Sequence, residues 1–529
     1  MQKEFNDTGV CIAKRHYMVD TTPKLKQVIQ LVDKGKYFTI NRPRQFGKTT
    51  TLRLLQRELQ KRNDYRPVLI SFEGIGSDSY ENVQSFIESF LFALRKTFRF
   101  YGEEKILDLF KNMREVAKFN LLDEWITTLV QTADKPMVLM IDEVDKSSNN
   151  QLFLDFLGLL RNKYLDAADG WDFTFHSVIL AGVHDIKTIK TKIRANGERK
   201  YNSPWNIAID FEVDLSFAPH EIETMLQAYS QEKQIQPDIP AIAEKLYYYT
   251  SGYPYLVSKL CKFIDEKIIP KREDSNWYLA DVEAALKMIA DEGYTTTLFD
   301  SLAKNLENNR DLYELITQIS INGESFPFTI TNPVINLGHL YGILVRSEES
   351  AERGRCQIHN RVFEQRIYAH MMSELRQAKY RDVNGFGGPE FYTDEGLDVK
   401  LILQRFQTFM KEHYSNQDAK FLEREGRLLF LAYLRPIING RGFDFKEPNI
   451  GDERRMDLVI TYQNKRYVIE LKRWYGPKKH QEGLDQLSDY LDTYSLKEGC
   501  LLIYDFRKKK EYKQEQITFK DKSIFAVWV

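Results

Sequence analysis

The sequence predicts a multidomain α/β protein, and three observations carry the prediction. A strand-like run, Lys36–Ile40, passes through Arg42-Pro43-Arg44-Gln45-Phe46-Gly47-Lys48-Thr49-Thr50 into the helix-like Thr50–Glu58. A continuous apolar run, Pro136–Ile141, ends in Asp142-Glu143, the pattern of a strand buried in a parallel sheet. Near the carboxyl end, two strand-like runs, Arg455–Tyr462 and Arg466–Trp474, stand close enough to pair as a hairpin. At 529 residues the chain is too long for one core, and roughly three to four domains are expected.

The first element to justify is the loop. A triphosphate cradle needs backbone N–H groups aimed at an anion, a lysine for the outer phosphates and a hydroxyl for Mg²⁺. Gly47, Lys48 and Thr49 meet that demand, and Thr49-Thr50 open a helix whose positive dipole end faces the phosphates. Arg44, Gln45, Phe46, Gly47, Lys48, Thr49 and Thr50 are therefore the expected ATP contacts. Arg42 stands where the G-x-x-x-x-G-K-[ST] pattern has its first glycine, so the match is partial.

The acid pair comes next, about 95 residues later, which leaves room for intervening βα units. Carboxylates at a strand's carboxyl end lie where an open α/β sheet binds its ligand. Asp142 is expected to hold Mg²⁺ together with Thr49, and Glu143 to orient and deprotonate the attacking water. The alternative is a polar loop without chemistry; the spacing favours the site. A third apolar run, Ser177–Ala181, leads to His184 and Asp185, candidate sensors of the γ-phosphate. The turn at Gly252-Tyr253-Pro254 is read either as placing a lid over the nucleotide or as a simple helix connection.

Together, His16-Tyr-Met-Val-Asp20, the Arg42–Thr50 loop, Ile141-Asp-Glu143, Ala181-Gly-Val183 and Tyr201-Asn-Ser-Pro-Trp-Asn206 resemble the AAA-ATPase-like domain of bacterial proteins. That domain is close to the archaeal-type P-loop ATPases of the STAND and AAA+ neighbourhood. The resemblance spans roughly the first 300 residues. It implies a P-loop NTPase parallel sheet, residues 1–215, followed by a helical lid, residues 216–295. It also implies that an arginine completes the site, from Arg194, Arg199 or a neighbouring subunit, which makes a homo-oligomer an expected assembly.

Residues 296–380 read as helices followed by two short strand-like runs, Gly342–Arg346 and Arg355–His359, a winged-helix-like connector. The loop Asp382–Pro389 marks a linker at 381–395 before a last domain at 396–529. Lys plus Arg, 75, balance Asp plus Glu, 76, so no whole-chain basic field argues for nucleic acid. Four scattered cysteines, Cys11, Cys261, Cys356 and Cys500, fit neither a zinc site nor a disulfide framework. With no apolar run of the ~18 residues that span a bilayer and no signal-like amino terminus, no membrane association is expected and the location expected is cytoplasmic.

The last domain carries the second site. Glu470 and Lys472 share one face of a strand because side chains alternate. If Gln463-Asn464 forms a two-residue turn, Tyr462 pairs with Lys465 and Asp457 falls opposite Glu470. Two like charges ~5 Å apart at Cβ destabilise a sheet unless a cation comes between them. Mg²⁺ or Mn²⁺ suits two such carboxylates and leaves positions for water and a phosphodiester. Lys472 is placed to activate water or stabilise developing negative charge; the alternative is that Glu470 pairs with Lys472 or Arg473 on a solvated sheet face.

With an upstream Glu423 or Glu425 and Gln486 on the following helix, this set resembles the PD-(D/E)XK nuclease superfamily over about residues 400–510. The resemblance implies a restriction-endonuclease-like α/β fold. It assigns Asp457 and Glu470 as metal ligands, Lys472 as their catalytic partner, Gln486 as support and Glu423, preferred over Glu425, as the helical acid. Nucleic acid, and DNA first, is the expected partner. The reading is an ATPase whose nucleotide state governs a nuclease, as in systems acting on foreign or mobile DNA. The competing reading is a STAND-like switch whose last domain binds nucleic acid or protein without cutting it.

Overall fold

A computed structural model of the chain describes residues 3–529, except 147–149, 184–204, 210, 291–294, 321–324, 349–352, 379–390, 394–395, 414–428, 432, 435–436, 438–441, 447–456, 463–464 and 508–509. The chain divides into two compact units. One comprises Met1–Ile289 with Gly338–Ile343 and Asn360–Val362; the other comprises Ala290–Leu337, Leu344–His359 and Phe363–Val529.

The first unit is built on a parallel sheet of β1 (Phe38–Asn41), β2 (Arg66–Ser71), β3 (Met137–Asp142) and β4 (Ser177–Gly182), in the order β1-β4-β3-β2. β3 and β4 are buried along their whole length, as continuous apolar runs in a helix-covered sheet must be. Phe86, Phe90, Leu94 and Phe98 of the helix Val83–Tyr101 pack into the same core as Leu122 and Ile126 of Phe119–Thr132 and Phe153, Phe156 and Leu160 of Gln151–Ala168. All pairs are parallel, so the carboxyl ends of the four strands lie on one rim. The helices Pro219–Lys233, Ile239–Thr250 and Pro254–Phe263 follow.

In the second unit the helices Thr297–Glu307 and Arg310–Ser320 precede an antiparallel pair, β5 (Leu344–Arg346) and β6 (Cys356–Ile358). A short antiparallel pair, β7 (Tyr392–Thr393) and β8 (Gly396–Leu397), leads into the helix Val399–His413.

The carboxyl-terminal sheet contains β9 (Gly442–Lys446), β10 (Asp457–Tyr462), β11 (Lys465–Arg473), β12 (Glu498–Tyr504), β13 (Gln514–Phe519) and β14 (Lys522–Trp528), in the order β13-β14-β12-β11-β10-β9. β11, β12 and β14 run parallel to one another, and β9, β10 and β13 join antiparallel. Alternation sends Ile469 and Leu471 into one core with Ile402 and Phe406 of Val399–His413. Val468 goes to the other face, against Leu484, Leu487 and Leu491 of the helix Pro477–Thr493. No helix among the described residues is long and apolar enough to cross a membrane. All four cysteines are free thiols.

Candidate functional site

The rim of the parallel sheet gathers the loop residues. The loop helix begins at Lys48, two residues earlier than the pattern places it, with Gly47 as its amino-terminal cap. Lys48 is buried, and its Nζ donates to the carbonyls of Arg42 at 2.8 Å and Pro43 at 2.9 Å. Burial pushes its pKa down, opposed by the nearby carboxylates of Asp145, Glu143 and Asp142. Thr49 Oγ1 donates to Asp142 Oδ2 at 2.6 Å, so a hydroxyl of the loop helix and the acid that ends β3 meet at one point.

Asp142 closes β3, and its Oδ1 accepts from the Glu143 amide at 3.0 Å. Burial raises the pKa of Asp142, against the hydrogen bonds from Thr49 and that amide. Glu143 lies at φ 56°, a left-handed conformation that a non-glycine residue adopts at a cost of order ~1–3 kcal/mol and that clusters at functional sites. Burial raises its pKa as well, opposed by Lys48. Asp145, which the sequence reading had not assigned, accepts from the Val183 amide at 2.7 Å and so ties the acid loop to the end of β4. The sensor candidates His184 and Asp185 lie outside the described residues, as do Arg194, Arg199 and Tyr201–Pro204.

Arg42 has a structural task at the place of the pattern's first glycine. Its guanidinium donates to the carbonyls of Asn41 at 2.8 Å and Val213 at 2.7 Å, and lies 5.3 Å from the ring centroid of Phe211. Burial lowers its pKa. The side chain staples the segment 211–213 to the end of β1 and leaves the phosphate side of the loop to main-chain groups.

The lid reaches the loop through the turn at Gly252-Tyr253-Pro254. Tyr253 is buried, donates its hydroxyl to the Arg44 carbonyl and stands edge-on to Phe46 with centroids 4.8 Å apart. Gly252, at φ +69°, lets the turn press on Phe217: an added Cβ would lie 2.1 Å from the Phe217 carbonyl oxygen. The turn joins the helices Ile239–Thr250 and Pro254–Phe263 and touches the loop. A later segment of the same unit also supports the loop. Gly342, at φ +72°, approaches so closely that a Cβ would lie 2.3 Å from Pro43 Cγ.

Beside the loop lies a cleft of about 150 Å³, lined by Cys11, Val19, Phe46, Thr50, Met225 and Pro254 among others. Its walls come from the amino-terminal segment, the loop helix and the lid. They are tied together by Ser258 Oγ donating to the Asn6 carbonyl at 2.6 Å, by the Lys262–Asp7 ion pair at 2.8 Å and by the Cys11 amide on Thr50 Oγ1 at 3.3 Å. A mostly apolar slot next to a phosphate loop has the chemistry to take a nucleobase. Of its amino-terminal wall, the sequence had pointed only to His16–Asp20, because the walls are assembled from segments far apart in sequence.

The second candidate site lies in the carboxyl-terminal sheet. β10 and β11 pair with Tyr462 opposite Lys465 and Asp457 opposite Glu470, the register read from the sequence. Glu470 is buried, and its Oε1 forms an ion pair with Lys472 Nζ at 2.6 Å. Lys472 Nζ also donates to Gln486 Oε1 on the helix Pro477–Thr493. Glu470, Lys472 and Gln486 are thus brought together, with Asp457 joined by register. Glu423 and Glu425 lie outside the described residues. Among the described residues no three acids, histidines or cysteines cluster as a metal site.

The sheet order, the loop and the acid pair define a P-loop ATPase-like α/β fold. The family model described as AAA-like domain matches residues 7–365, and the chain belongs to that family. Among solved structures, a Walker-type ATPase of Pyrococcus abyssi is similar at 13% identity, covering 69% of this chain and 98% of that one, with a TM-score of 0.46. The ORC2 protein of Aeropyrum pernix, in ADPNP–ADP complexes, is similar at 11% identity over 67% and 93% of the two chains, with a TM-score of 0.36. The RuvB Holliday junction branch migration motor of Thermotoga maritima is similar at 13% identity over 64% and 91%, with a TM-score of 0.33. No curated protein matches the sequence.

Proposed function

We propose that the first unit binds and hydrolyses ATP with Mg²⁺, and that the carboxyl-terminal domain is a restriction-endonuclease-like, metal-dependent nuclease whose cutting of nucleic acid, DNA first, is governed by the nucleotide. The contact of Thr49 Oγ1 with Asp142 Oδ2 carries the first half: two hard oxygen donors converge where the cation of a bound triphosphate is needed. These donors fit Mg²⁺, with Thr49 and Asp142 holding it, and the ion supplies charge neutralisation on the phosphates. The chain's own groups do the rest. Loop amides from Arg44 to Thr50 bind phosphate oxygens, Lys48 exchanges its loop carbonyls for the outer phosphates, and Glu143 accepts the proton of the attacking water. The raised pKa of Glu143 makes it a stronger base than an exposed glutamate. A polar group after β4, such as His184, would contact the γ-phosphate, and an arginine from Arg194, Arg199 or a second copy of the chain would complete the charge balance.

Asp457 opposite Glu470, beside a lysine held by Gln486, carries the second half. Two carboxylates across adjacent strands are the donor set for Mg²⁺ or Mn²⁺, which would supply an activated water and charge stabilisation at the phosphodiester. Lys472 is at hand to donate to the developing negative charge, and Glu423 is the proposed third acid. The test is plasmid DNA incubated with Mg²⁺ or Mn²⁺, with and without ATP. Metal-dependent nicking lost in Glu470→Ala supports the reading. Nicking that persists in that variant, or none with either metal, sinks the nuclease half and leaves a nucleotide-controlled binding module. Phosphate release abolished by Lys48→Ala tests the ATPase half separately.

A further inference from the structure

Two patches of the first unit carry exposed aromatic rings beside charges of opposite sign. On the helix Val83–Tyr101, Phe92, Lys96 and Phe100 recur every four residues with Arg95 and Arg99 beside them, so all five share one exposed face. Phe92 is 63% and Phe100 86% exposed. From Ser89 to Gly102 the chain holds these three cations and no acid, and none of the three takes part in an ion pair among the described residues. The acids on either side are engaged: Glu88 accepts from Gln84 at 3.0 Å, and Glu103 pairs with Arg66 at 2.7 Å.

The second patch is the turn between the helix Gln151–Ala168 and β4. Trp171 is 87% and Phe173 55% exposed, next to the exposed Asp166 and Asp169. From Tyr164 to Phe175 the chain has no cation, and Asp166 and Asp169 form no ion pair among the described residues. Asp172 is not counted, because the buried Lys163 holds it. The helix Phe119–Thr132 stands between the patches: Trp125 packs on Phe110 at 5.0 Å and Phe110 on Phe98 at 6.1 Å, while Thr127, on the opposite face, donates to Asp172 Oδ1 at 2.7 Å. Both patches lie toward the amino ends of the strands, away from the nucleotide rim. Beside Phe100, the Tyr101 hydroxyl donates to the Pro67 carbonyl at the start of β2, and the acidic turn leads into Ser177 at the start of β4.

Exposed aromatic rings set among charges mark interaction surfaces, and tryptophan and arginine dominate the energetics of such contacts. A polyanion or an anionic membrane would cover the basic patch and leave the acidic one bare; a second copy of this chain covers both. We propose that the Phe92–Phe100 face of one copy docks on the Trp171 turn of another, a head-to-tail contact because the two patches are different surfaces of one molecule. The contact needs neither ATP turnover nor cleavage, so its test is separate from both.

Sedimentation velocity of the full-length protein at low salt is expected to show association that grows with concentration and weakens as salt screens the charges. Arg95→Glu with Arg99→Glu, and Asp166→Lys with Asp169→Lys, are each expected to weaken it by about tenfold or more, with circular dichroism and nucleotide binding unchanged. Trp171→Ser is expected to weaken it as well. Mixing the two charge-reversed proteins recreates opposite charges at every contact and is expected to restore assembly, which a loss by misfolding would not allow. A protein that stays monomeric, association indifferent to the reversals, or a loss that mixing does not repair overturns the proposal. So does a monomer that binds anionic vesicles through Arg95 and Arg99, which would give the basic patch to a membrane.

Discussion

The two candidate sites of this chain handle their lysines in opposite ways. Lys48 is buried on neutral carbonyls of its own loop, while Lys472 is paired directly with the acid two residues before it. The first cation is held by groups that an incoming anion can replace without leaving a charge unpaired. The second belongs to a site whose charge is already balanced internally, so anything that engages it must also satisfy Glu470. The acids differ in the same sense. Asp142 and Glu143 stand at a strand end, where burial raises their pKa values, whereas Asp457 and Glu470 are joined by strand pairing.

Substitutions that act on one site and spare the other sharpen this contrast. The largest effect is expected for Glu143→Gln, a loss of ATP turnover on the order of 10²–10⁴ with nucleotide affinity retained, measured by phosphate release and nucleotide binding. Because burial raises this carboxyl above its ordinary value of 4.5, the acid limb of the wild-type pH–rate profile should lie above that of an exposed glutamate. The sign for stability is opposite to that of an ion-paired acid. The native state binds the extra proton, so stability contributed by Glu143 falls as pH rises through its raised pKa. Glu143→Gln should therefore melt above wild type at alkaline pH and converge with it at acid pH.

Lys48→Ala comes next, with turnover reduced on the order of 10²–10³ and nucleotide-independent cleavage unchanged, while Glu470→Ala does the reverse. An effect of Glu470→Ala on ATP turnover, or of Lys48→Ala on cleavage measured without nucleotide, would erase the distinction. Arg42→Gly, which restores the glycine of the loop pattern, should cost about 1.5–3 kcal/mol through lost charged hydrogen bonds and lower the melting temperature. Faster turnover without loss of stability would contradict the staple. The smallest effect is expected for Tyr253→Phe, about 1 kcal/mol from one hydrogen bond to the loop, read by thermal unfolding.

The sequence made legible what is local. Gly47-Lys48-Thr49 identifies itself because strand, loop and helix are contiguous, and the Asp457–Glu470 pairing follows from a short turn between adjacent strands. Arg42 looked like a defect because its partners, Phe211 and Val213, lie about 170 residues away, beyond any periodicity. Asp145 was one more acid in a polar loop until β4 brought the Val183 amide to it. The helix Val399–His413 and the strands β13 and β14 went unread although they complete the sheet and its cover. β14 is a continuous apolar run whose pairing with β12 skips over β13 in the chain, so nothing nearby announces it.

The contact of Gly342 with Pro43 gives the nucleotide unit an unusual biography. Its phosphate loop is synthesised within the first 50 residues, yet a piece of its support arrives some 300 residues later, after the lid has been made. A nascent chain halted at residue 290 would hold every residue of the loop and still lack the segment Gly338–Ile343 that belongs to the same compact unit. Nucleotide affinity should then mature late on the ribosome, and proteolytic trimming behind the lid should weaken a site whose own residues are all intact.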